Sequence, residues 1–158
     1  MSAPRRSRPG AAPRWSSDLV HDVVYFQRHR DDDPNEASPG YQVLRSWPLS
    51  VQAKAIARLA HVAAAPPKRV RGGGYWEAMS GDMTGWHEIR VDGSNRHHYR
   101  LFCIVDNAAL NCDRPFIAVI DGRDKAFRTV LAEQDYQDIR RLGDEYRSRN
   151  PRSLKSSS

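Results

Sequence analysis

The stretch Trp86-His87-Glu88-Ile89-Arg90-Val91, then a turn, then His97-His98-Tyr99-Arg100-Leu101-Phe102-Cys103 decides how this chain folds. Both halves alternate, and side chains on a strand point to opposite faces with a period of two. Ile89 and Val91 form one set, Glu88 and Arg90 the other. In the second half Tyr99, Leu101, Cys103 and Val105 form the apolar set, while His98 and Arg100 begin the polar one. Two strands whose apolar sets share a core must place Glu88, Arg90, His98 and Arg100 together on the opposite face. Matching those faces requires an odd loop around Asp92-Gly93-Ser94-Asn95-Arg96; an even loop sets Arg90 beside His97 and Tyr99 and turns Ile89 and Val91 away from Leu101 and Cys103. The odd loop is the expectation. Two guanidiniums, a carboxylate and an imidazole on one rigid hairpin suit chemistry at a phosphodiester. A plainer reading has Arg90 and Arg100 paired with Glu88 on a wetted sheet face and nothing more.

Outward from the hairpin, 158 residues make one domain with extra length. No run of about 18 apolar residues offers a spanning helix, and the Arg- and Pro-rich start lacks the apolar core of a secretory signal. Two cysteines, Cys103 in an expected core strand and Cys112 in a loop, make no disulfide framework, so a reducing cytoplasm is the expected location. The net charge of +6 misleads until it is divided. Arg5, Arg6, Arg8 and Arg14 at one end, and Arg147, Arg149, Arg152 and Lys155 at the other, stand without acids. Residues 15–146 then hold 17 basic and 19 acidic residues, a net of −2. Basicity therefore sits in tails expected to be solvated, adding salt-dependent affinity for nucleic acid, and a binding site in the domain must be a local patch.

Composition predicts a disordered basic tail over 1–17, a domain over 18–147 and a second disordered tail over 148–158. Residues 19–26 are rich in β-formers and read as a first strand, and 28–40 read as a charged linker into a helix. A helix should follow Trp47-Pro48-Leu49-Ser50, with Pro48 in the first turn and Ser50 as cap. Val51, Ala55, Leu59 and Val62 repeat at helical spacing with Lys54, Arg58 and His61 on another face, and Pro66-Pro67 ends it. Lys68-Arg69-Val70-Arg71-Gly72-Gly73-Gly74 reads as a mobile basic loop that can meet RNA; it lacks the preceding strand and the Gly-Lys-Ser/Thr of a phosphate loop. A third sheet strand spans 116–121, and a last helix about 133–146 carries Tyr136, Ile139, Leu142 and Tyr146 as a core stripe.

With these elements in order, the chain resembles the RelE/HigB superfamily of bacterial type II toxins, most of all its HigB-like, phage-associated branch. The resemblance rests on Gly85-Trp86-His87-Glu88-Ile89-Arg90, on Tyr99-Arg100-Leu101-Phe102, and on Val119-Ile120-x-Gly122-x-x-Lys125-x-x-x-Thr129, and covers about residues 18–146. It implies an α+β fold, a small twisted antiparallel sheet packed with N-terminal helices and a C-terminal helix. It further implies an endoribonuclease that cleaves mRNA on the ribosome and needs neither metal nor cofactor. A cognate antitoxin, a helix-turn-helix protein encoded next to it, would hold it inactive. In that reaction the RNA 2′-hydroxyl attacks the adjacent phosphate, leaving a 2′,3′-cyclic phosphate and a 5′-hydroxyl.

That chemistry asks for cations where charge builds on the nonbridging oxygens, and Arg90 and Arg100 supply planar forks. It asks also for a base and an acid; His98 and Lys125 are the candidates, with Glu88 as base or orienter. Arg123, Arg128, Lys68, Arg69 and Arg71 are candidates for flanking phosphates. Two other readings use the same residues. One is a catalytically silent RNA- or ribosome-binding module or phage-encoded regulator. The other is a metal-dependent hydrolase built on His87, His97, His98 and Cys103, disfavoured because adjacent His97 and His98 point to opposite faces.

Overall fold

Alternation along the hairpin is realised residue for residue. The computed structural model describes residues 15, 19–126 and 130–156 and contains strands β1 (Asp22–Tyr25), β2 (Trp76–Ala78), β3 (Trp86–Asp92), β4 (His97–Asp106) and β5 (Phe116–Ala126), with helices α1 (Pro39–Ser46), α2 (Leu49–Ala64) and α3 (Glu133–Ser148). β3 and β4 pair antiparallel with Ile89 opposite Leu101, Val91 opposite Tyr99 and Arg90 opposite Arg100. Gly93 N–H donates to His97 O, so three residues form the loop tip, and Asn95 and Arg96 take left-handed φ values of 58° and 55°. The odd loop holds.

The fold is α+β, a five-stranded sheet in the order β1-β5-β4-β3-β2 with three helices. The sheet is mixed, not purely antiparallel: β1 runs parallel to β5, Val23 opposite Ile117 and Val24 opposite Ala118. That pairing joins residues roughly ninety apart in sequence, beyond the reach of any local pattern. The 74–83 stretch contributes β2, an unforeseen edge strand on β3. β5 is longer than the expected 116–121: it continues straight through Gly122 and Lys125. Gly122 is needed there because a Cβ would meet Val43 Cγ1 at 2.9 Å and Leu101 Cδ2 at 3.1 Å. The glycine lets α1 lie against the sheet.

Each sheet face has its own core. Leu44 and Trp47 with Val51, Ala55, Leu59 and Val62 of α2 cover Ile89, Val91, Leu101 and Cys103. Lys54 and His61 face out, as their spacing required. Ser50 lies inside the helix and caps nothing, because Pro48 takes the N-cap position. Residues 39–46, the end of the expected charged linker and beyond, are helical, with Pro39 in the first turn. On the other face Phe102, Ile104, Ala118 and Ile120 meet Ile139 and Tyr146 of α3. A bulge between Phe102 and Cys103 leaves Ile120 without a partner on β4, so Ile120 and the adjacent Asp121, the partner of Phe102, lie on this same face. Gly143 brings α3 against Trp86, whose ring lies 2.4 Å from where a Cβ would stand.

Residues 149–156 correct the expectation of a second disordered tail. Arg152 Nε donates to Asp106 Oδ2 at 2.8 Å, and both side chains are buried. Leu154 bridges Phe26, while Gln27 N–H donates to Ser153 O and Lys155 N–H to Tyr25 O. The segment thus pairs alongside the exposed edge of β1. Burial would raise the Asp106 carboxyl, but bonds from Arg152, the Tyr146 hydroxyl and Ala108 N–H outweigh it and hold it below the usual range. At the other end, only Trp15 of the expected tail is described; its N–H donates to Asn107 O.

Candidate functional site

Three cross-strand rows meet on the α3 face of β3, β4 and β5. Glu88, Phe102 and Asp121 form one, Arg90, Arg100 and Arg123 the next, and Asp92, His98 and Lys125 the third. Directly opposed residues have Cβ atoms about 4.5–5.5 Å apart, and like charges so placed repel. Three guanidiniums in one row therefore need compensation, and they receive it unequally.

Arg90 is bound to Glu88: Nε and Nη2 both lie 2.6 Å from Oε1. Arg123 donates from Nη1 to Asp121 Oδ2 at 2.7 Å and from Nε to Asp135 Oδ1 at 3.2 Å, tying β5 to the start of α3. Burial pushes the Asp121 carboxyl up despite the neighbouring Arg123 guanidinium. Burial would also raise Asp135, but bonds from Arg123 and Ala132 N–H hold it low. Arg100 differs. Its Nη1 stands 3.8 Å from Glu88 Oε2, and among the described residues its guanidinium makes no hydrogen bond. Glu88 itself is 3% exposed, and its Oε2 has no hydrogen-bond partner.

In the third row the ring N–H at His98 Nδ1 donates to Asp92 Oδ1 at 2.5 Å, which fixes the ring's orientation. His98, Arg100, Arg123 and Lys125 line one narrow cleft closed by Leu131. Two larger hollows flank Arg90 and Arg100, and both residues line both. One, of about 410 Å³, has Glu88 in its wall, with Tyr136 and Arg140 of α3 opposite. The other, of about 420 Å³, is bounded by Asp92, His98, Tyr75 and Arg58. Arg58 lies over the Tyr75 ring, 5.1 Å from its centre, and donates to Arg90 O.

The five residues singled out for chemistry, Glu88, Arg90, His98, Arg100 and Lys125, thus share one face. Arg123 shares it too, but two carboxylates engage it. The basic segment Lys68, Arg69 and Arg71 is not on this face. Residues 67–69 form a 3-10 turn, Trp76 Nε1 donates to Pro67 O, and Val70 packs on the α1/α2 core, so the expected mobile loop is anchored. None of the three lines either hollow. Arg128 lies outside the described residues.

The residues weighed for a metal do not converge. His87 stacks on Trp76, ring centres 4.7 Å apart, and burial followed by the charge of Arg71 lowers it to about 4. Cys103 is fully buried and its thiol is pushed up. His97 pairs with Asp124 on the face opposite His98. Among the described residues no group of three or more His, Cys, Asp or Glu side chains is placed to hold a metal ion.

Sequence reasoning missed Asp92, Tyr136 and Arg140. Asp92 continues the period-two set of Glu88 and Arg90, a signal in plain view that its place at the turn obscured. Tyr136 does pack on the α3-face core, edge-on to Phe102, and it also lines the hollow together with Arg140, one helical turn on. Which part of the sheet they overlie depends on tertiary packing. Among the described residues no helix is long and apolar enough to cross a membrane. No family model, curated protein or solved structure matches the chain.

Proposed function

We propose that the protein is an endoribonuclease cleaving mRNA by 2′-hydroxyl attack, acting as the toxin of a toxin–antitoxin pair. The observation that carries this reading is the row Arg90-Arg100-Arg123, with the Asp92–His98 pair and Lys125 in the next row. A phosphodiester seated on Arg90 and Arg100 has a hollow on either side for its two nucleosides. Arg100, the least compensated arginine of the row, meets the charge that develops on the nonbridging oxygens. His98, oriented by Asp92, accepts the 2′-hydroxyl proton. The 2′-oxygen bonds to phosphorus, the bond to the 5′-oxygen breaks, and Lys125 protonates that leaving oxygen. Glu88 is assigned as orienter, because it is buried and holds Arg90.

The resemblance to RelE/HigB toxins supports the same reading in the order of the hairpin and the Gly122–Lys125 segment. It adds expectations the site alone does not carry: action on the ribosome, a cytoplasmic setting and a helix-turn-helix antitoxin as partner. Induced expression in a bacterium, with RNA ends mapped, tests the proposal. Growth arrest with new 5′-hydroxyl ends that vanish in Arg100→Ala supports it. RNA binding without cleavage, free or on ribosomes, would replace it with a silent binding module.

A further inference from the structure

We infer that RNA crosses the arginine row with one polarity: the nucleoside on the 5′ side of the scissile phosphate, whose 2′-hydroxyl attacks, lies in the hollow bounded by Arg58 and Tyr75. The inference rests on the RNA-cleaving reading above. There His98 takes the 2′-hydroxyl proton, and a base must stand within hydrogen-bond reach of the proton it removes. His98 lines the Arg58–Tyr75 hollow with Arg90 and Arg100, whereas the hollow walled by Tyr136 and Arg140 shares the two arginines but not the imidazole. Its Nδ1 N–H donates to Asp92, so Nε2 is the ring's acceptor and its direction is set. Across the third row the order is Asp92, His98, Lys125, from β3 to β5. Attacking and leaving oxygens stand roughly in line through phosphorus. With the base toward β3 and the acid toward β5, the attacking nucleoside comes from the β3 side, where Arg58 and Tyr75 wait.

The walls of that hollow suit a base held by its face. Arg58 and Tyr75 are both half-buried and both line it. The guanidinium lies over the ring, 5.1 Å from its centre, and its bond to Arg90 O fixes it there. Aromatic rings and guanidinium planes are the two surfaces on which proteins stack nucleobases. Gly73 and Gly74 bring no side chain to the opposite rim, and a Cβ at Gly74 would meet nothing within 4 Å, so the space stays open. The backbone donors of that rim are already used: Gly73 N–H donates to Val70 O and Gly74 N–H to Glu77 Oε1. The contact offered to a base is therefore chiefly to its face.

The test uses the full chain and two dinucleoside monophosphates built on 2′-deoxyribose, which lacks the attacking hydroxyl. Each has a single phosphate, so the register is fixed, and each carries 2-aminopurine on one side of it and an abasic sugar on the other. Affinity is read from the fluorescence change in titrations at low salt, up to millimolar probe. Both probes should bind, and Arg100→Ala should weaken both. The probe with its base on the 5′ side should lose about tenfold in affinity in Tyr75→Leu, the scale of one stacked base, and at least about threefold more there than in Tyr136→Leu. The probe with its base on the 3′ side should show the reverse order. Arg58→Leu removes the guanidinium plane from a half-exposed site on α2; it should act as Tyr75→Leu does, and it carries the test should that variant fail to fold. The opposite pattern, or equal losses of the two probes in these variants, overturns the polarity and leaves the cleavage reading standing. No binding of either probe, or binding that Arg100→Ala does not weaken, removes the phosphate seat and both readings with it.

Discussion

Unequal compensation along the arginine row makes Arg100 and Arg123 separable by mutation, although they face each other across β4 and β5. Replacing Arg100 by alanine removes a cation held only by a 3.8 Å contact and relieves repulsion from its neighbours. Stability should stay within about 0.5 kcal/mol of wild type, since opposed like charges cost a few tenths to about 1 kcal/mol. Cleavage should fall about 100- to 1,000-fold, the loss of about 2.7–4 kcal/mol that follows removal of a transition-state donor. Arg123→Ala should do the reverse. It leaves Asp121, whose side chain is 5% exposed, with only Gly122 N–H as a hydrogen-bond donor among the described residues, and releases the tie to Asp135. Stripping one partner from a buried pair costs about 3–5 kcal/mol; Arg123 is itself 24% exposed, which puts the loss at the low end, about 3 kcal/mol. For a chain of this size each kcal/mol moves Tm by about 2–4 °C, so a fall of roughly 6–12 °C is expected. Circular-dichroism melts and a cleavage assay on one labelled RNA, run in parallel on both variants, decide the matter. An Arg100→Ala protein that is fully active, or an Arg123→Ala protein that is as stable as wild type, would refute the assignment of roles.

Three further outcomes follow from the packing. Arg152→Ala should cost about 3 kcal/mol and detach residues 149–156 from β1, seen as faster amide exchange at Tyr25 and Gln27; unchanged exchange would return the segment to a passive tail. Gly143→Ala should cost about 1–3 kcal/mol in urea unfolding, because its methyl meets the Trp86 ring; a neutral result would mean α3 shifts freely. His87 remains neutral in the fold down to about 4, whereas the unfolded chain takes its proton near 6.5. Stability from this group is therefore complete above about 6.5 and declines as pH falls toward 4, by up to about 3 kcal/mol. His87→Phe should lose less stability than wild type between pH 7 and 4.5, and parallel losses would contradict the assignment.

Period-two alternation made the hairpin legible because near the turn one face carries the apolar Ile89, Val91, Tyr99 and Leu101 and the other Glu88, Arg90, His98 and Arg100, and register then followed from the loop. The same logic found α2 from Val51, Ala55, Leu59 and Val62. What escaped was non-local. β1 meets β5 across most of the chain, and nothing in residues 22–25 announces a parallel partner. Residues 149–156 read as a solvated tail because Arg152 counts as a surface charge until Asp106 and Tyr146 enclose it. The chemical face was legible as a set, Glu88, Arg90, His98 and Arg100 together, because strand parity alone places them. The difference between Arg100 and Arg123 was not, since it depends on carboxylates brought in by β3 and α3. Lys68, Arg69 and Arg71 show the converse: local charge suggested an RNA contact, and the fold sets them apart from the arginine row.

The chemistry of the RNA ends tests the central proposal most directly. Purified protein is incubated with a defined mRNA, free and on translating ribosomes, and the fragments are weighed by mass spectrometry. Fragments should carry 2′,3′-cyclic phosphate upstream and 5′-hydroxyl downstream, with none formed by Arg100→Ala or His98→Ala. Intact RNA in every condition, or fragments bearing 5′-phosphates, would contradict cleavage by the 2′-hydroxyl on this face.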